Sequence, residues 1–235
     1  MLLLNPHPNI DSLPQIKFDW FDLHESTPGE ERYKFVALSS NELDASRENM
    51  CFFTMKNRMF LAGGTSYKNE TYTTDYHSRM FELIGQRVQR LADLSYPMDN
   101  GLCMKIDDTQ ALLCSSYTLA EQSEYNCWNF DGGVSIRSGR TNDNHYLGGI
   151  ANYREGAIII SGVKNDAGSC EIYDPVLRDW RMHPFPFPRF QKFTGFTSVG
   201  FFDKVYVFGG SRSNDLGEST VFMMAENLRW EEYRF

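Results

Sequence analysis

Asp203-Lys204-Val205-Tyr206-Val207-Phe208-Gly209-Gly210 decides the fold of this chain. A charged turn runs into four β-branched and aromatic residues, which suit a pleated, buried surface. A glycine pair then ends the run, free to take positive φ where a side chain would clash. Alone, these eight residues are one strand and its exit turn. The same arrangement of polar turn, apolar run and small pair recurs at 57–64, 109–116 and 155–162. The small pairs begin at 63, 115, 161 and 209, at intervals of 52, 46 and 48 residues. A near-constant interval of this size marks a repeat architecture.

The rest of the unit is read relative to the small pair. An apolar segment precedes each turn, at 51–54, 102–106, 149–152 and 196–199, and makes a hairpin with the run that follows. After each pair comes a polar loop and a third strand, at 79–84, 126–130, 169–173 and 220–224. A fourth strand is clearest late in the chain, where Tyr173 leads to Trp180 and Met223 leads to Trp230 at the same offset. Leu91 holds that column in the first unit. Four short strands per unit predict an all-β protein. One such sheet leaves both faces poorly covered, whereas blades stacked around an axis bury them and keep only short edges exposed.

The repeats divide residues 50–235 at approximately 50–97, 98–148, 149–189 and 190–235, all within one propeller domain. Residues 1–49 are less regular and are expected to form a degenerate partial blade. In it, 17–23 and 32–38 alternate like a third and a fourth strand around a loop holding Pro28-Gly29, and residues 1–4 offer one more strand.

Composition narrows the function. With a formal charge of -8, the chain is a poor match for nucleic-acid backbone or an anionic membrane. No apolar run is long enough to span a bilayer. The five cysteines (51, 103, 114, 127 and 170) show no CxxC or CxxH spacing, so neither a zinc site nor a disulfide framework is indicated. They are expected to be buried free thiols in a reducing, cytoplasmic setting. One N-glycosylation acceptor, Asn69-Glu70-Thr71, points the other way.

Taken together, the glycine pair, a third strand ending in Tyr-Asp and a Trp seven residues beyond that Tyr resemble the kelch repeat. The residues that carry the resemblance are Gly63-Gly64, Ser161-Gly162, Gly209-Gly210, Tyr173-Asp174, Trp180 and Trp230. Pro184, Pro186, Pro188 and Arg189 look like the proline-rich link and following Arg of that repeat. Ser115-Ser116 replaces the glycines in the second unit, and the first two units lack the Trp. The resemblance implies a kelch-type β-propeller of about five four-stranded blades, or an incomplete ring, or a fragment of a larger one. It also implies a protein-binding role. Many kelch-like proteins carry a BTB domain and present substrates to a Cullin-type ubiquitin ligase, and others bind actin. Neither a BTB nor a BACK domain fits in the first 50 residues, so an adaptor role implies a BTB-type partner that is separate or lies outside this sequence.

Individual residues point to binding rather than catalysis. The glycine pairs sit at strand ends with no helix after them to hold phosphate, and the two tryptophans are expected to pack between blades. The five histidines have no metal-ligand spacing, and no cofactor is indicated. Kelch propellers also include copper-radical oxidases and sialic-acid mutarotases. The alternative function is therefore an enzyme of oxidase or sugar isomerase type, although the oxidase set of Tyr, Tyr, His, His and Cys does not assemble here. The connections between strands two and three leave one face of a propeller. The first of them, 65–78, is the longest and carries Tyr67, Tyr72, Tyr76 and His77. Tyrosine gives large contact area at low entropic cost, with a hydroxyl added. Tyr125, Arg212 and Asn214 lie on the later connections and Arg189 begins a link. These residues make a polar face expected to receive a protein or peptide.

Overall fold

Each turn and apolar run of the repeat becomes a strand hairpin, and each hairpin grows into a sheet. The computed structural model describes residues 15–20, 34–39, 47–68, 73–84, 87–115, 126–162, 168–188, 194–211 and 220–234. Among these every helix or strand assigned is a strand. The N-terminal part holds β1 (Gln15–Trp20), antiparallel to β2 (Lys34–Ser39), and the short β3 (Arg47–Glu48). The first repeat gives β4 (Cys51–Met55), β5 (Arg58–Ala62), β6 (Thr65–Lys68), β7 (Thr73–Tyr76), β8 (Met80–Ile84) and β9 (Arg87–Arg90). The second gives β10 (Leu102–Lys105), β11 (Ala111–Cys114), β12 (Asn126–Phe130) and β13 (Ser135–Arg140). The third gives β14 (Gly149–Tyr153), β15 (Gly156–Ile160), β16 (Cys170–Asp174) and β17 (Asp179–Met182). The fourth gives β18 (Thr194–Phe201), β19 (Lys204–Ser211), β20 (Thr220–Met224) and β21 (Trp230–Arg234).

Repeats two, three and four are antiparallel four-stranded sheets with their strands in chain order. In the first repeat β4, β5, β8 and β9 make the same sheet, and β2 and β1 extend it beyond β9. There β2 meets β9 in parallel, with Ser39 opposite Arg87. The strand pair expected near 17–23 and 32–38 is thus hydrogen-bonded to the edge of the first blade-like sheet. The strand expected at residues 1–4 lies outside the described residues. The first hairpin turns of the first and fourth repeats share a cause: Lys56-Asn57 and Phe202-Asp203 take positive φ at both positions (51° and 56°, 47° and 56°). Two such residues make the type I′ turn whose twist matches that of the strands.

Side-chain alternation stacks the sheets in series. Counting back from the small pair, the first and third residues of the second strand face the next sheet, and the second and fourth face the previous one. Phe60 and Ala62 accordingly share a core with Leu113, Ala111 and Trp128 of the second sheet. Leu112 and Cys114 meet Ala157 and Ile159 of the third. Ile158 and Ile160 meet Val205 and Val207 of the fourth. Full burial of each large aliphatic or aromatic side chain contributes about 1.5–3 kcal/mol.

The first strands of successive sheets, β4, β10, β14 and β18, lie side by side at the inner edge. Small residues allow this approach. A Cβ at Gly149 would strike the Phe196 ring, and one at Gly200 would overlap the Asn152 carbonyl oxygen. Ser198 Oγ donates to Ile150 O at 2.9 Å across the same seam.

The cysteines correct the sequence reading. Four of the five are paired rather than free: Cys51 with Cys103, and Cys114 with Cys127. Cys51 and Cys103 are 52 residues apart, one repeat interval, and join β4 to β10 across the first inter-sheet seam. Cys114 and Cys127 lie directly opposite each other on β11 and β12, with Cα atoms 4.1 Å apart. Only Cys170 remains a thiol; it is buried, and burial pushes it up to about 12. No helix among the described residues is long and apolar enough to cross a membrane.

Two measurements check this packing. Gly63 and Gly209 share nearly the same φ, 67° and 66°, but a Cβ at Gly63 would overlap Met98 O, whereas among the described residues nothing comes within 4 Å of one at Gly209. Alanine at Gly209 should therefore cost only the left-handed backbone term, about 1–2 kcal/mol. Alanine at Gly63 should cost roughly 1–3 kcal/mol more, read from urea midpoints at constant m-value. Peptide mapping without reductant should recover both disulfides and alkylate Cys170 alone after denaturation. Closing loops of 52 and 13 residues contributes about 4 and about 3 kcal/mol respectively, so reduction should lower the unfolding midpoint markedly.

Candidate functional site

The connection expected as a long loop at 65–78 is a β-hairpin instead. β6 and β7 pair with Thr65 opposite Tyr76 and Tyr67 opposite Thr74, and β3 adds a third strand alongside β6. Threonine and tyrosine favour the pleated backbone even without an apolar face, which explains a hairpin where polarity alone implies a loop.

Its base is built by Gly63 and Gly64, at φ 67° and 92°. Gly63 N–H donates to Arg79 O at 3.0 Å, and Gly64 N–H donates to Met98 O at 2.7 Å. His77 N–H donates back to Gly64 O, and Met98 N–H to His77 O, each at 3.0 Å. The link leaving the first sheet is thereby sewn to the root of the hairpin. The His77 ring adds a side-chain tie, with Nε2 2.8 Å from Ser66 Oγ. Beside Met98, burial pushes the Asp99 carboxyl up, against hydrogen bonds from Asn100 and Asn49.

The hairpin brings three of the expected site residues together: Tyr67 on β6, Tyr76 at the end of β7, and His77 at the root. By backbone register Tyr67 pairs with Thr74 and Tyr76 with Thr65, two residues apart along the hairpin. Tyr72, Tyr125, Arg189, Arg212 and Asn214 lie outside the described residues, as does Asn69. The structural residues fall where the packing needs them. Trp180 lies 5.1 Å from Tyr173, ring to ring, in the core between the second and third sheets. Trp230 meets Phe187 edge-on at 5.0 Å, against the core between the third and fourth.

Sequence reasoning missed a buried polar cluster between the link 141–148 and the third sheet. Glu171, on β16, is fully buried and accepts from Asn142 N–H and Asp143 N–H, both at 2.8 Å. Asn142 Nδ2 donates to it at 2.7 Å and His145 Nε2 lies 3.0 Å away. His145 Nδ1 lies 2.8 Å from the carbonyl of Ser161, the residue that stands in the small-pair position. Ser169 Oγ donates to Asp143 Oδ2 at 2.6 Å. Burial is the strongest influence on the Glu171 carboxyl and pushes it up, but the contacts from His145 and Asn142 outweigh it and hold the group below its ordinary range. The detectable signal was an acid inside an otherwise apolar strand, Cys170-Glu171-Ile172-Tyr173.

This cluster uses its polar atoms on one another and fastens the inter-sheet link 141–148 to the third sheet. Among the described residues no three His, Cys, Asp or Glu side chains gather to hold a metal ion. No protein-family model matches the chain, and no curated protein matches it.

Removing one partner from so buried a charge leaves the others unmatched. Glu171→Ala should lower stability by about 3–5 kcal/mol. Because the folded carboxyl is held below its ordinary value of 4.5, its stabilisation is fully present above that pH and lost as the pH falls through the folded value. The gap in unfolding free energy between the wild type and Glu171→Gln should therefore narrow on acidification from neutral pH past 4.5.

Proposed function

We propose that this chain is a kelch-type propeller segment acting as a protein-interaction module. It comprises four blades and a partial one, as an incomplete ring or part of a larger ring, and it binds a peptide or protein on the face where the second and third strands connect. The observation that carries this reading is the tyrosine-bearing hairpin β6–β7. It is raised from the first sheet, flanked by β3 and sewn down at Gly63, Gly64 and His77. A root tied by backbone hydrogen bonds, in a segment whose sequence is rich in tyrosine, suits recognition, since little order must be gained there on binding. The kelch resemblance extends the proposal to two settings, a Cullin-type ubiquitin ligase adaptor working through a BTB-type partner and an actin-associated protein.

A cytoplasmic placement belongs to the same proposal. Its support from unpaired cysteines is gone, since disulfides persist chiefly in oxidising compartments. Peptide mapping of protein taken directly from cells tests it: recovery of both disulfides would move the chain to an oxidising compartment.

Affinity capture from cell extract, quantified by mass spectrometry, tests the binding face. Tyr67→Ala, Tyr72→Ala and Tyr76→Ala combined should lose the partners that the wild type enriches, while the unfolding midpoint stays nearly unchanged. Undiminished capture would place the binding surface elsewhere. Stoichiometric copper or iron in the purified protein would favour the oxidase reading.

A further inference from the structure

The two disulfides differ in where their ends lead. Cys114 and Cys127 join neighbouring strands within the second sheet, and both are buried. Cys51 and Cys103 join two different sheets, and each half runs directly into the root of the tyrosine hairpin. Cys51 opens β4 opposite Ala62, the residue before Gly63. Just upstream, Asn49 donates through Nδ2 to Thr65 Oγ1 at 3.4 Å and hydrogen-bonds the buried Asp99 carboxyl. Before Asn49, β3 pairs with β6, Glu48 opposite Thr65 and Arg47 opposite Ser66. Cys103 follows the link whose Met98 accepts from Gly64 N–H at 2.7 Å and donates to His77 O at 3.0 Å. That link is closely folded, since a Cβ at Gly101 would strike the Met98 side chain.

We propose that the Cys51–Cys103 bond is a thiol-operated fastening for this hairpin, which holds the root in order while oxidised and releases it, and the binding it supports, when reduced. This rests on the hairpin being the binding site. The bond completes a ring of short segments: from Asn49 to Cys51, across to Cys103, back through 98–102 to Gly64, and by β6 and β3 to Asn49 again. No side of a closed ring moves away without the others. With the bond open, Asn49 and Met98 are attached to the root by hydrogen bonds alone. Cys103 is the half-cystine of the four that is not fully buried, so its sulfur is the one open to attack. The thiolate of a glutathione-type thiol bonds to Cys103 Sγ, and the Cys51 sulfur leaves with the electron pair. A second such thiolate attacks the reductant's sulfur in the mixed disulfide and releases Cys103. Two reductant thiols are thereby oxidised to one disulfide, and the protons they give up end on Cys51 and Cys103. Cys114 and Cys127 present no comparable sulfur, so a mild thiol acts on the first bond selectively.

Amide hydrogen exchange of the full chain, followed by NMR with and without glutathione, tests this, with peptide mapping to show which bond has opened. Once Cys51–Cys103 is open, the Gly64, His77 and Met98 amides should exchange about tenfold faster or more, through local opening of the root. A bond that only stabilised the whole fold would speed the slowest core amides, such as those of Leu61 and Ile159. Root amides that do not respond, or respond only by the factor seen for those core amides, overturn the inference. Cys51→Ser combined with Cys103→Ser should show the fast root without glutathione, and Cys114→Ser combined with Cys127→Ser should keep the response. The wild-type comparison stands by itself if either double variant fails to fold. Capture of the wild type's partners from thiol-free extract should fall when the bond is reduced. A fast root with undiminished capture upholds redox control of the root and overturns the hairpin as the binding site.

Discussion

The second strand of each repeat is apolar on both sides, and the architecture follows from that one constraint. A strand with a single apolar face is content in a two-layer fold. Ile158, Ile159 and Ile160 in succession demand cover above and below, and only another sheet on each side supplies it. Stacking in series is the response, with the sheets close enough at their inner strands that Gly149 and Gly200 have no room for a Cβ. The links cross the ends of neighbouring sheets: the one leaving the first sheet lays Met98 on that sheet's own small pair, and the one entering the third lays His145 on the small pair of the sheet it enters.

Most of the strand plan was legible in the sequence because the period is carried by residues whose backbone needs are local. Turn residues, β-branched runs and small pairs say the same thing four times, and repetition removes the ambiguity of any one copy. Three features were not legible. The strands β6 and β7 have no hydrophobic alternation, so Thr65 to Tyr76 reads as a polar loop although its residues favour extended backbone. The attachment of β2 to β9 is a non-local pairing with a single bridge, which no pattern in either strand announces. The disulfides were missed by looking for short motifs. Cys51 and Cys103 stand one full interval apart, and equivalent positions on the inner strands of neighbouring sheets come together. Repeat arithmetic, rather than spacing along the chain, contained that contact.

The expected site was legible only in part. The tyrosines identify the first connection as distinctive, but polarity alone did not show that its root would be rigid or that His77 would be spent on fastening it. The Glu171 cluster shows the reverse case, in which a charged group that looks functional in isolation is consumed by structure. Its carboxylate is tied through His145 to the carbonyl of Ser161, which stands where the first repeat has glycine, and the polar contacts hold the link 141–148 against the third sheet. Burying an acid there has a structural cause, and it accounts for chemistry that otherwise invites a catalytic reading.

The bond between Cys51 and Cys103 has a mechanical consequence. It closes 52 residues into a covalent loop that includes most of the first sheet and its hairpin. A force applied at the two ends of the chain passes through the bond and bypasses everything inside the loop. Roughly 170–190 Å of contour length stays hidden from extension until the bond is reduced. A motor that threads polypeptide from either terminus meets a double strand at that point, so the oxidised chain resists being drawn through a narrow pore where the reduced one does not.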